Sequence, residues 1–289
     1  MAVSANQVKD LREKTGAGMM DCKKALEESN GDFEKAVEIL RKKGAAVAAK
    51  RAERSATEGV VLTKVINNGK SAAILEVNCE TDFVAKSEDF LGFSEFVMDV
   101  VVKKNPKDVD ALMKENLNGK SISDELNGLI GKIGEKIEVS RFAIVNSYNG
   151  EVVDYVHHGS KLGVLVRVDD VPSNNVEELQ PIIKDVAMQV AAMRPLTVNR
   201  EEVDKSVIEK ELDIYKELAR KEGKPEQVLE KIAVGKLNKF FEENCLLEQA
   251  FIKENSKKVG DLIADFNKKN STQVRITLFK RFHISDENK

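Results

Sequence analysis

The sequence predicts an α+β fold. It reads as an amino-terminal bundle of three short helices, then a core of two similar subdomains in which small antiparallel sheets are covered by helices, with an antiparallel helical hairpin. Three observations carry that expectation. Helical apolar spacing at the start is broken twice by glycine-bearing turns, and a β-hairpin followed by one long helix occurs twice. Beyond residue 201, two narrow apolar stripes flank Gly223-Lys224-Pro225.

Residues 1–45 form the helical head. Val8 and Leu11 mark the first helix, and Met19-Met20-Asp21-Cys22-Lys23-Lys24-Ala25-Leu26 the second. Phe33, Ala36, Val37, Ile39 and Leu40 mark the third. Gly16 and Gly18 make the first break and Asn30-Gly31 the second. The third helix needs the other two to cover its apolar stripe. Residues 46–58 are rich in Ala, Lys and Arg, which suits a helical extension fraying into a linker.

The first subdomain is expected over residues 59–143. Residues 60–66 and 71–78 alternate like strands around Asn67-Asn68-Gly69-Lys70, a tight hairpin turn. A helix over residues 84–104 follows, stopped by Asn105-Pro106. Two more helices, near 108–117 and 121–135, and a strand at 137–145 complete the unit. The plan then recurs. Residues 151–157 and 162–168 form a second hairpin, and a helix over 176–193 ends at Arg194-Pro195. The stripes Val203, Val207, Ile208, Tyr215, Leu218 and Val228, Leu229, Ile232, Val234, Leu237, Phe240 make a helical hairpin. A helix at 259–266 and a strand at 274–282 close the chain.

Composition narrows the function. Lys plus Arg number 46 against 49 Asp plus Glu in 289 residues, so no bulk positive charge draws the chain to nucleic acid. The amino terminus lacks a signal-peptide core and no stretch approaches a membrane span, which predicts a cytoplasmic protein. Cys22, Cys79 and Cys245 lack metal spacing, and only His157, His158 and His283 are histidines. Neither a metal site nor any cofactor is expected. Adjacent His157 and His158 would face opposite sides of a strand. Gly69-Lys70-Ser71 and Gly119-Lys120-Ser121 imitate the end of a phosphate-binding loop. That loop needs a glycine five residues earlier, where Lys64 and Lys114 stand. Gly131-Lys132-Ile133-Gly134 is expected to be a helix end or packing site.

The most informative segment is Asn78-Cys79-Glu80-Thr81-Asp82-Phe83-Val84-Ala85-Lys86, a strand-to-helix corner. Thr81 or Asp82 can cap the helix, which puts Phe83 in its first turn. A phenyl there folds into the core or projects as an apolar finger. Together with Thr15-Gly16-Ala17-Gly18-Met19-Met20-Asp21-Cys22-Lys23, this segment resembles the bacterial elongation factor Ts family. His158-Gly159 before residues 162–166, and Gly223-Lys224-Pro225, extend the resemblance over nearly the whole chain.

The resemblance implies a guanine-nucleotide exchange factor, not an enzyme, whose partner is the translational GTPase elongation factor Tu. It implies that Thr81, Asp82, Phe83 and Val84 reach the partner near its Mg²⁺ site. Met19, Met20 and Lys23 would dock on its GTPase domain, with one methionine expected to fill the head's own core. Ile133, Gly134, His158, Ile252 and Lys253 fall at further contact positions. The hairpin, residues 201–239, would be inserted into a second subdomain built from residues 144–200 and 240–289. Two other readings compete. The stretch Lys42–Arg54, with its run Lys50-Arg51-Ala52-Glu53-Arg54, could make an RNA- or ribosome-binding module. The head's three-helix pattern is also similar to ubiquitin-associated adaptor domains.

Overall fold

The structure, a computed structural model, describes residues 3–117 and 119–286. Ser4 starts helix α1 (Ala5–Thr15) by accepting from Gln7 N, and Gly16 ends it in the left-handed region. Helix α2 (Met19–Glu28) and helix α3 (Phe33–Arg51), capped by Asp32, complete the head. Its core is Val8, Leu11, Cys22, Ala25, Leu26 and Ala36.

Strands β1 (Glu58–Ile66) and β2 (Ser71–Cys79) pair through a turn in which Asn67, Asn68 and Gly69 all take positive φ. That turn holds Gly69-Lys70, whose lysine donates to Gly150 O at 2.7 Å. The single helix expected over 84–104 is instead two. Helix α4 (Asp82–Ala85) stops, and Ser87 caps helix α5 (Glu88–Lys104). Ser87 Oγ also donates to Val84 O at 2.8 Å, so one hydroxyl joins both helices. Helix α6 (Val109–Lys114) is shorter than expected. The short strands β3 (Asn116–Leu117) and β4 (Lys120–Ser121), helix α7 (Ile122–Ile133) and strand β5 (Ile137–Asn146) follow.

Strands β6 (Glu151–Val156) and β7 (Leu162–Asp169) lead into helix α8 (Val176–Met193). His157 and His158 lie in the turn after β6, not on opposite faces of a strand, because the hairpin bends at Gly159. Helices α9 (Lys205–Lys221) and α10 (Glu226–Asn244) form the helical hairpin, clasped by Arg220 to Glu226 at 2.7 Å. Its two ends lie side by side, since Thr197 pairs with Cys245. Strands β8 (Ala250–Phe251) and β9 (Glu254–Lys258), helix α11 (Val259–Asn270) and strand β10 (Arg275–His283) complete the described chain.

The two larger sheets run β1-β2-β5 and β10-β7-β6, all antiparallel. Leu75, Val77, Phe90, Phe93, Val97 and Ile130 form a core between the first sheet and helices α5 and α7. Val164, Val166, Ile183, Val186, Ile263 and Phe266 do the same between the second sheet, α8 and α11. The opposite faces of the sheets meet each other through Val61, Ile74, Val152, Leu165 and Phe282. Strand β2 is therefore buried along its whole length. Fully buried Glu76 on this strand pairs with Arg141 at 2.8 Å, and Arg141 reaches Asp286 at 2.9 Å.

The helical extension expected after residue 45 is part of helix α3. It continues to Arg51 and crosses α7 at close range. A Cβ on Gly44 would sit 2.5 Å from Asn127 O, and one on Gly131 would sit 3.1 Å from Gly44 Cα. Bare backbone on both helices is what permits the approach. Val47 and Ala48 then join the first sheet's core, so the small residues of this stretch are packing residues.

Candidate partner-docking site

The corner after β2 is built to hold its backbone and release one side chain. Cys79 is buried at the strand's end, and its Sγ–H donates to Thr81 O at 3.2 Å. Burial pushes this thiol up to about 12, so it is no nucleophile at neutral pH. Thr81 takes extended backbone and accepts from Val84 N at 3.4 Å, which starts α4. Asp82 ion-pairs with Lys86 one turn on, at 2.8 Å, and that bond holds its carboxyl below the usual range. Val84 packs against the first sheet's core. Phe83 points the other way and is 83% exposed. Of the two readings open for this phenyl, the structure displays the finger.

Two carboxylates fasten the corner from outside α4. Glu135 accepts from Thr81 N at 3.0 Å and from Thr81 Oγ1 at 2.8 Å. Glu80 returns the contact, accepting from Lys136 N at 2.6 Å and from Arg54 Nη1 at 3.1 Å. Lys136 N–H is the main cause holding the Glu80 carboxyl low, with Arg54 and Arg51 adding to it. Neither acid was assigned a role from sequence. Glu80 was visible inside the corner motif, whereas Glu135 is marked only by following Gly134.

Several sequence-predicted residues gather near this corner. Ile133 and Gly134 end α7 directly before Glu135, Gly134 supplying the left-handed cap at φ 79°. The turn carrying His158 lies alongside. Ser160 O accepts from Val61 N at 2.6 Å, Lys161 pairs with Glu58 at 2.6 Å, and Lys161 lowers the Asp82 carboxyl. The head's glycine turn sits against Lys132, whose ammonium pairs with Asp89 on α5 at 2.7 Å. Met19 and Met20 at the start of α2 are 60% and 62% exposed. The expectation that one fills the head's core is therefore corrected, because Cys22, Ala25 and Leu26 already supply that face. Lys23 is exposed and lies 3.8 Å from Glu27. Ile252 and Lys253 belong to a different neighbourhood. Their turn between β8 and β9 bonds to α8, through Gln189 at 2.9 Å and Asp185 at 2.6 Å.

Within the basic stretch that could touch RNA, Lys42 pairs with Glu38, Lys43 with Asp21, and Arg51 and Arg54 with Glu80. Among the described residues, no group of three or more His, Cys, Asp or Glu could hold a metal ion. No helix among them is long and apolar enough to cross a membrane. All three cysteines are free and buried.

The chain is an α+β protein whose candidate site is a clamped corner that displays one apolar side chain. A family model described as elongation factor TS matches residues 80–286. The elongation factor Ts of Chlorobium phaeobacteroides is 47% identical over 286 residues, 98% of each chain. That of Chloroherpeton thalassium is 45% identical over 289 residues, 99% of each chain. That of Clostridium botulinum is 45% identical over 282 residues, 97% of this chain and 92% of the relative. The chain belongs to the elongation factor Ts family.

Proposed function

We propose that this chain is a guanine-nucleotide exchange factor of translation elongation. It binds the GDP form of elongation factor Tu, weakens its grip on Mg²⁺ and nucleotide, and stays bound until GTP enters. The single observation that carries the reading is Phe83, displayed to solvent on a helix whose backbone is fastened to the core. A phenyl left in water on a fastened backbone suits insertion into a partner. In this reading Phe83 wedges between partner side chains, Asp82 disturbs the polar network around the partner's ion, and Thr81 and Val84 position them. Met19, Met20 and Lys23 dock the head on the GTPase domain, where the flexible thioethers adapt to an irregular surface. Ile133, Gly134 and His158 extend the contact around the corner, and Ile252 with Lys253 makes a separate one.

The organisation that goes with this function is a docking head (residues 1–45), two similar subdomains (59–143, then 144–200 with 240–289), and a hairpin (201–239) inserted in the second. The protein works in the cytoplasm and transforms no substrate. It stabilises the nucleotide-free GTPase, and because linkage is reciprocal it weakens nucleotide binding by the same free energy. Each tenfold loss of nucleotide affinity needs about 1.4 kcal/mol of such coupling. The test is release of labelled GDP from purified elongation factor Tu. The chain should accelerate release without hydrolysing GTP, and unchanged release would overturn the reading.

A further inference from the structure

Glu135 and Glu80 cross between the same two chain segments. Glu135 reaches back 54 residues to take both hydrogen bonds that Thr81 donates. Glu80 reaches forward 56 residues to take the Lys136 N–H. Starting α4 needs only the Thr81 hydroxyl as an acceptor for Val84 N. The additional grip by Glu135 does something else. By receiving the hydroxyl proton it fixes the rotor of that hydroxyl, which turns a lone pair toward Val84 N. By receiving the Thr81 N–H it also fixes the backbone one residue before Asp82. Phe83, being so exposed, has few contacts of its own to set its direction. That direction is inherited from the backbone.

We propose that Glu135 is a positioning residue for the partner contact. It sets the projection of Phe83 before any partner arrives. With Glu80, which is ion-paired to Arg51 and Arg54, it ties that projection to the last residue of helix α3 and the turn that follows it. The end of α3 and the finger are thus held in one relative geometry by side chains outside both. The functional part of this inference rests on the exchange reading; the structural part does not.

The consequence is specific. If only a fraction of molecules carries the corner in its competent direction, the apparent dissociation constant rises by the inverse of that fraction. Loss of Glu135 therefore raises the concentration needed for half-maximal exchange and leaves the rate at saturation close to wild type. A purely structural role would lower thermal stability instead.

The chain has no tryptophan, so Phe83→Trp places a unique fluorophore on the finger. Glu135→Ala and Glu135→Gln are made in that background for fluorescence anisotropy of the free protein. The same two changes are made beside native Phe83 for GDP release from elongation factor Tu over a concentration series. Anisotropy should fall in Glu135→Ala, and fall less in Glu135→Gln, which keeps one acceptor oxygen. The half-saturating concentration should rise about tenfold for the alanine variant and less for glutamine. Melting temperatures should stay within about 2 °C of the parent. Unchanged anisotropy in both variants, with wild-type exchange intact, overturns the positioning role alone. A melting temperature that falls together with the saturating rate in both variants overturns it as well, making Glu135 a structural residue. A wild-type chain that fails to release GDP overturns the exchange reading, while a fall in anisotropy would still support Glu135 as the residue that sets the finger.

Discussion

Two strand-to-helix corners in this chain take opposite routes. After β7, Asp170 adopts φ of 60°, held by Arg275 and Asn149 at 2.6 Å each. The apolar residue that follows, Val171, turns inward and joins the second sheet's core. After β2, Thr81 keeps extended backbone, α4 starts at once, and the apolar Phe83 turns outward. Both corners are fastened by charged side chains from distant segments. Only the first uses its apolar residue for stability. Leaving a phenyl in water forgoes about 1.5–3 kcal/mol that burial would contribute. The outward corner is where the molecule keeps apolar surface available for something else.

Changes at the interior, at the inward corner, at the hairpin and at the clamp should separate these roles, in descending size. Arg141→Ala leaves Glu76 buried between the sheets without its guanidinium and should destabilise by about 3–5 kcal/mol in urea unfolding. A loss below about 1 kcal/mol would show that the interface both corners rest on does not need this pair. Val171→Ala deletes buried methyls and should cost about 1–3 kcal/mol, with exchange per folded molecule unchanged. An exchange defect in that variant, measured where it remains folded, would mean the inward corner is also functional.

Replacing residues 199–239 by a short Gly/Ser linker should alter GDP release less than twofold with the isolated GTPase. The pairing of Thr197 with Cys245 already holds the two ends together, so closure costs little. A folded deletion variant that no longer releases GDP would place the hairpin in the exchange contact. The smallest effect concerns pH. The Glu80 carboxyl is held below its ordinary value, so its contribution is fully present above the unfolded carboxylate range. It is lost as pH falls through the lower folded value. Protection of the Lys136 amide against hydrogen exchange should weaken over that acid window in wild type and be weak throughout in Glu80→Ala, which has no acceptor to offer it. Equal protection in the two proteins at neutral pH would remove Glu80 from the clamp.

Local chemistry made much of this legible in sequence. Asn67-Asn68-Gly69 announced a hairpin because each residue tolerates positive φ, and Asn105 and Arg194 each close a helix in that region ahead of proline. Other features were readable but masked by a stronger pattern. Ser87-Glu88-Asp89 is a helix-start signal, yet it lies within continuous helical spacing, so one helix was expected where two form. The Ala-, Lys- and Arg-rich run after residue 45 reads as a helical extension into a linker, with no sign in it of a packing partner. Small residues are what let α3 approach α7 at Gly44 and Gly131. The face-to-face meeting of the sheets and the grip of Glu135 on Thr81 had no local signal at all, because both join segments far apart in the chain. At the candidate site the finger's position was legible, its exposure was one of two open readings, and its fastening was invisible.

The most direct test sets melting and GDP release side by side for Phe83→Ala. A buried phenylalanine would cost about 3–5 kcal/mol on truncation. The outward corner predicts a melting temperature within about 2 °C of wild type and exchange reduced by roughly two orders of magnitude. A variant that melts far earlier, while its folded fraction still releases GDP at the wild-type rate, would contradict this and make Phe83 a core residue.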